Sequence, residues 1–132
     1  MDIHSYLSGY TDGEGCFCVS INKSKRHLFG WDIRPSFSVS QNADRAEVLE
    51  MYLQLWCCGT IRPDRSDKTL KYEVRCLHEL VEKVIPHFEK YPLFSSKQKD
   101  FEKFGLVCKK MSRHEHRTKK GFNEIVELAL TI

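Results

Sequence analysis

Leu7-Ser8-Gly9-Tyr10-Thr11-Asp12-Gly13-Glu14-Gly15 packs three glycines and two acids into nine residues. Ile3, Tyr6, Leu7 and Tyr10 fall at i, i+3, i+4 and i+7, which predicts a helix over residues 2–13 with one apolar face. Asp2 suits its N-cap, and Gly13 and Gly15 suit its end. A glycine inside a helix costs about 1 kcal/mol relative to alanine, so Gly9 needs a compensating reason. Gly9 and Gly13 lie four residues apart on one face, where small residues let a second helix approach closely. If Gly13 merely ended the helix, Gly9 would stay unexplained.

Beyond the glycines the period changes from helical to two. Phe17, Val19 and Ile21 alternate with polar neighbours in Cys16–Lys23, as do Trp31, Ile33, Phe37 and Val39 in Trp31–Ser40. Both stretches read as strands with one buried and one wet face, joined by a basic loop containing Lys23, Lys25 and Arg26. A helix is expected over about 44–56, with Asp44 and Glu47 resembling a capping box. A second hairpin follows, Gly59–Arg65 and Thr69–Cys76 around the turn-like Arg65-Ser66-Asp67-Lys68. A short helix over about 78–85 should end or kink at Pro86. Ser95 or Ser96 can cap a helix reaching about Met111, and Thr118 can cap a last one.

The expected fold is therefore α+β: an αββαββα unit followed by more helix, in one domain over residues 1–132. Its four-stranded antiparallel sheet would be backed by helices on its apolar face. The free face would carry Arg34, Arg62, Lys71, Arg75 and several serines, Ser36 and Ser38 among them. Cations for phosphates and short polar or Arg side chains for base edges are what a sheet needs to lie on DNA. An ordinary solvated sheet face would look the same from composition.

The bulk properties narrow the setting. The chain has 132 residues, a net charge of +3 and 41% hydrophobic residues, enough to fold around one core. No apolar run approaches the ~20 residues needed to cross a bilayer, and no secretory leader is visible. Six cysteines in C-x-C and CC spacings match no zinc framework; they read as small buried or half-buried residues with reduced thiols. Only three asparagines argue against a strongly AT-biased organelle genome, so a bacterial or archaeal cytoplasm is the expected setting.

Leu7–Gly15 resembles the signature of the LAGLIDADG homing endonucleases, with Ser8 in place of the usual alanine. Ser36–Gln41 is similar to that family's second strand. Ile85–Leu93 and Lys97–Phe101 are similar to the stretch bearing its active-site lysine, so the resemblance covers nearly the whole chain. It implies an intron-encoded, sequence-specific double-strand DNA endonuclease that hydrolyses phosphodiesters with Mg²⁺ or Mn²⁺, Ca²⁺ acting as a non-catalytic substitute. It implies Glu14 and the Gly13 carbonyl as metal ligands, and Lys97, Gln41 and Arg45 beside them, with Lys99 a competitor for the lysine role. Asp12 would be a supporting residue at the helix contact, with Gly9 and Gly13. One motif copy implies a homodimer on a roughly palindromic site. Lys23, Lys25, Arg26, Arg34, Ser36, Ser38, Arg62, Lys71, Glu73 and Arg75 are the expected DNA contacts. An RNA-binding intron maturase, a non-cleaving DNA-binding regulator and a protein-binding module are the alternatives.

Overall fold

The first helix, α1 (Ile3–Glu14), begins at Asp2, whose carboxylate accepts the His4 N–H at 3.0 Å. The computed structural model describes residues 2–132, apart from the Asp67 side chain. β1 (Gly15–Lys23) and β2 (Trp31–Asn42) follow, then a 3-10 turn at Ala43–Arg45 and α2 (Glu47–Trp56). β3 (Thr60–Asp64) and β4 (Ser66–Val74) complete one antiparallel sheet in the order β1-β2-β4-β3. After it come α3 (Leu77–Glu79), a π-turn (Leu80–Val84), α4 (Ile85–Lys90), α5 (Lys97–Ser112), a 3-10 turn (Glu115–Arg117) and α6 (Lys119–Leu130). This is the expected α+β order.

The core lies between the sheet and the helices. Phe17, Phe37, Val39, Tyr72 and Val74 from the sheet meet Leu7, Leu49, Tyr52, Phe88, Phe101 and Phe104. Phe17 alone contacts four aromatic rings at 5.2–5.5 Å between centroids. Period two in the strands fixes which residues point inward, so Cys16, Ser38 and Glu73 are left in one row across the opposite face.

Several expected boundaries move. α2 starts at Glu47 rather than 44, and its N-cap position is Ala46 with no side-chain cap; Asp44 lies in the 3-10 turn instead. Chain direction changes at Arg65 alone, with φ +66°, and β4 begins at Ser66. Pro86 does not end its helix, because the wider π-turn before it gives the ring room near the preceding carbonyls. Four cysteines (Cys16, Cys18, Cys57 and Cys76) are exposed, and only Cys58 and Cys108 are buried, contrary to the uniformly sheltered reading. Cys16 and Cys18 sit on the outward phase of β1, where the alternation that buries Phe17 puts them.

The inward face of α1 also differs. Leu7, Ser8 and Thr11 are buried, whereas Tyr6 turns outward. Apolar periodicity misses Ser8 and Thr11 because each brings its own partner. Thr11 Oγ1 hydrogen-bonds to the Tyr52 hydroxyl at 2.8 Å. The Ser8 hydroxyl donates to the Tyr91 carbonyl at 2.6 Å, leaving its oxygen to accept from His87 Nε2 at 3.1 Å. His87 is buried, and desolvation first, then the neighbouring His4, push its imidazole from the ordinary 6.5 down to about 4. The unfolded chain takes up this proton at higher pH than the folded one. Stability should therefore be full above pH 6.5 and fall by up to about 3 kcal/mol as pH drops through about 4. Denaturant titrations across that range should show the slope, and His87→Gln should flatten it.

Candidate functional site

The C-terminal end of α1 gathers the candidate chemistry. Gly15 closes the helix in extended conformation, its N–H donating to the Thr11 carbonyl. A Cβ there would stand 2.5 Å from Thr11 Cγ2 and 2.9 Å from the Thr11 oxygen. Gly15→Ala should therefore cost about 1–3 kcal/mol of overpacking, read as a lowered Tm. Gly9 and Gly13 behave differently: both are exposed, and a Cβ at either meets nothing within 4 Å. Gly13 is inside the helix rather than at its end, so nothing in the chain's own fold requires glycine at either position.

The two acids of the segment part company. Asp12 accepts from the Phe94 N–H at 3.0 Å, from the Ser95 N–H at 3.0 Å, and from the Ser95 hydroxyl. Burial works to raise its pKa, but these hydrogen bonds outweigh it and hold the carboxyl below its usual range. Asp12 thus ties the motif helix to the segment leading into α5. Glu14 is the last residue of α1 rather than one just beyond it. It is exposed, and among the described residues its carboxylate takes part in no hydrogen bond or ion pair.

Lys97, the first residue of α5, reciprocates. Its Nζ donates to the Thr11 carbonyl at 3.0 Å and to the Gly15 carbonyl at 2.6 Å. Carbonyls at a helix C-terminus carry partial negative charge, and each carbonyl has two lone pairs, so the Thr11 oxygen can accept from Lys97 as well as from the Gly15 N–H and a cation is favoured there. Lys97 is thereby placed on one carbonyl three residues before Glu14 and another one residue after it, while Lys99 is exposed two residues along. Ser95, which the sequence suggested only as a cap, is central: its Oγ also accepts the Lys97 N–H at 3.1 Å. No pattern in the sequence pairs Ser95 with Asp12, 83 residues away.

Gln41 reaches the same helix. Its Nε2 donates to the Tyr10 hydroxyl, and its Oε1 accepts the Asn42 N–H at 2.7 Å. Arg45 is exposed on the 3-10 turn, and among the described residues no hydrogen bond or ion pair joins it to the motif.

The wet face of the sheet spreads away from this helix end. The register puts Ser36 opposite Cys18, Arg34 opposite Ser20, Ser40 opposite Lys71, and Lys71 opposite Arg62. Arg34, Arg62 and Arg75 are exposed, and Ser36, Ser38, Lys71 and Glu73 half-buried. The face also carries acids. Arg62 pairs with Glu73 at 2.6 Å, Lys71 with Asp64 at 3.7 Å, and Arg34 with Asp32. Lys23, Lys25 and Arg26 are exposed around the β1–β2 loop, Lys23 lying 5.7 Å from the Trp31 ring centre.

Among the described residues no group of three His, Cys, Asp or Glu could hold a metal ion. One exposed carboxylate with a neighbouring helix-end carbonyl suits a hard cation that keeps several waters, provided other oxygens complete the shell. The donor set fits Mg²⁺ as half of a shared site. Also among the described residues, no helix is long and apolar enough to cross a membrane.

Comparison with known proteins bears on this geometry. A family model described as LAGLIDADG endonuclease matches residues 7–108. Over 124 residues, 93% of this chain, it is 33% identical to "Probable intron-encoded endonuclease 2" of Neurospora crassa. That match covers 27% of the relative, and the chain spans about a quarter of the length of several such relatives. The crystal structure of the homing endonuclease I-TnaI superposes with a TM-score of 0.91 at 32% identity, covering 98% of this chain and 86% of that one. The meganuclease I-SmaMI bound to uncleavable DNA superposes with a TM-score of 0.94 at 26% identity, over 100% of this chain and 44% of that one. I-SmaMI is also known with an uncleaved DNA target in the presence of calcium ions. The named relative is fungal, which lends nothing to a bacterial or archaeal setting.

Proposed function

Because this chain belongs to the LAGLIDADG endonuclease family, we propose that residues 1–132 form one endonuclease domain that cuts both strands of DNA as a homodimer. The carrying observation is the division of labour at the end of α1. Asp12 is consumed by its own chain, Glu14 is left open, and Lys97 is fixed to the carbonyls on either side of it. The polar sheet face is the proposed DNA surface.

In this reading Glu14 and the Gly13 carbonyl hold a divalent cation, Mg²⁺ or Mn²⁺, with Ca²⁺ binding without turnover. When bound, the cation lowers the pKa of water and stabilises the leaving oxygen. Lys97 adds a fixed positive charge where charge develops on the phosphate. Gln41 orients the site through Tyr10 on the motif helix, and Arg45 reaches the DNA backbone from its turn. Gly9 and Gly13 form the contact with the second copy's α1, and Asp12 supports that helix from behind. A twofold dimer reads a roughly palindromic site, one half per copy. Lys23, Lys25, Arg26, Arg34, Ser36, Ser38, Arg62, Lys71, Glu73 and Arg75 supply the contacts.

The test is to incubate the chain with a randomised double-stranded DNA library and Mg²⁺, then sequence the ends produced. Recurrent cuts in both strands at a related set of sites are expected. A library left intact in both Mg²⁺ and Mn²⁺ would refute cleavage.

A further inference from the structure

Three acids stand on a face proposed to meet polyanionic DNA, and each is less exposed than the cation it holds. The side chain of Asp32 is 17% exposed against 60% for Arg34, and Glu73 11% against 53% for Arg62. Asp64 is 24% exposed against 28% for Lys71. The acids form a floor and the cations rise from it. Exposed ion pairs contribute little stability, roughly 0–1 kcal/mol, and carboxylates facing phosphates oppose binding. Neither effect explains why acids are built into this surface.

Geometry supplies a reason at Asp32. Its Oδ2 accepts from Nε of Arg34, two residues along β2 on the same face. Its Oδ1 lies 3.2 Å from His27 Nε2, and His27 Nδ1 is 2.7 Å from Ser24 Oγ. The carboxylate is therefore pinned from the loop side while it grips the inner edge of the guanidinium. Among the described residues neither terminal nitrogen of Arg34 takes part in a hydrogen bond or ion pair, so the two remain available as a fork. That end-on fork is the arrangement that donates two hydrogen bonds to O6 and N7 of guanine in the major groove.

We infer that Asp32 is a positioning residue for specificity: it holds Arg34 end-on so that Arg34 reads a guanine in each half-site. This rests on the proposed DNA-reading role of the sheet. An unheld arginine on a flexible stem pairs with any phosphate within reach, so the acid exchanges general affinity for discrimination.

The experiment selects sites from the randomised library with wild type, Arg34→Ala, Asp32→Asn and Asp32→Ala, then measures binding to the selected site and to single-base variants. Arg34→Ala should lose preference for one guanine per half-site, with discrimination there falling roughly tenfold to a hundredfold. Both Asp32 variants should lose discrimination at the same base. Their binding to random DNA should be equal or tighter, with a steeper dependence on salt. If the Asp32 variants keep wild-type discrimination at the base read by Arg34, or lose affinity equally for all sequences, the inference is wrong. If wild type selects no sequence at all, the DNA-reading proposal itself fails, a distinguishable result.

Discussion

Glu14→Gln is expected to leave DNA binding within about twofold of wild type and to lower cleavage by roughly a thousandfold or more. The substitution keeps size and removes charge. Glu14 is exposed and, among the described residues, makes no hydrogen bond or ion pair, so the fold should not register the change. Metal binding should, because a neutral amide is a poor ligand for a hard cation that retains most of its waters. Asp12→Asn is the informative contrast. It weakens the carboxylate that receives two backbone N–H groups and a hydroxyl, so it should lower thermal stability as well as activity. Filter binding in Ca²⁺, cleavage in Mg²⁺ and melting curves separate the two acids. Equal loss of stability in both variants would contradict their separate roles.

Gly13→Leu, alone or with Gly9→Leu, is expected to raise the dimer dissociation constant by at least about a hundredfold, since a twofold interface presents each new side chain twice. Within one chain a Cβ at either position meets nothing within 4 Å, both positions are exposed, and leucine has the better helix propensity. At protein concentrations where wild type is also monomeric the variant should therefore melt at or above the wild-type temperature, and at higher concentrations only wild type should gain the stability that dimerisation adds. Sedimentation velocity on DNA-free protein reads the first effect and calorimetry the second. A variant that melts below wild type where both are monomeric would mean that the glycines serve the chain's own fold.

Much of this was legible in the residues. Period two placed Phe17, Phe37 and Val39 inside, and Thr118 was placed correctly as the α6 cap, its Oγ1 accepting the Gly121 N–H at 3.1 Å. The resemblance points to Lys97, whose Nζ donates to the Thr11 and Gly15 carbonyls, whereas Lys99 is exposed. What stayed hidden were polar residues doing work across long sequence separations. Ser8, Thr11 and Ser95 interrupt or flank apolar patterns, and their partners His87, Tyr52 and Asp12 come from distant elements. Periodicity counts apolar residues, so it overlooks a buried hydroxyl that brings its own acceptor. Asp32 is hidden for another reason. Composition counts charges on a face, whereas the role inferred for Asp32 depends on its lying deeper in that face than Arg34.

The proposal that two copies each supply one Glu14 is tested most directly by mixing wild type with Glu14→Gln before dimerisation, at fixed total protein, and measuring double-strand cleavage of a selected site. If each cut needs an intact acid from both copies, a one-to-one mixture should retain about one quarter of the wild-type activity. Retention of about one half, in proportion to the wild-type fraction, would contradict the shared site.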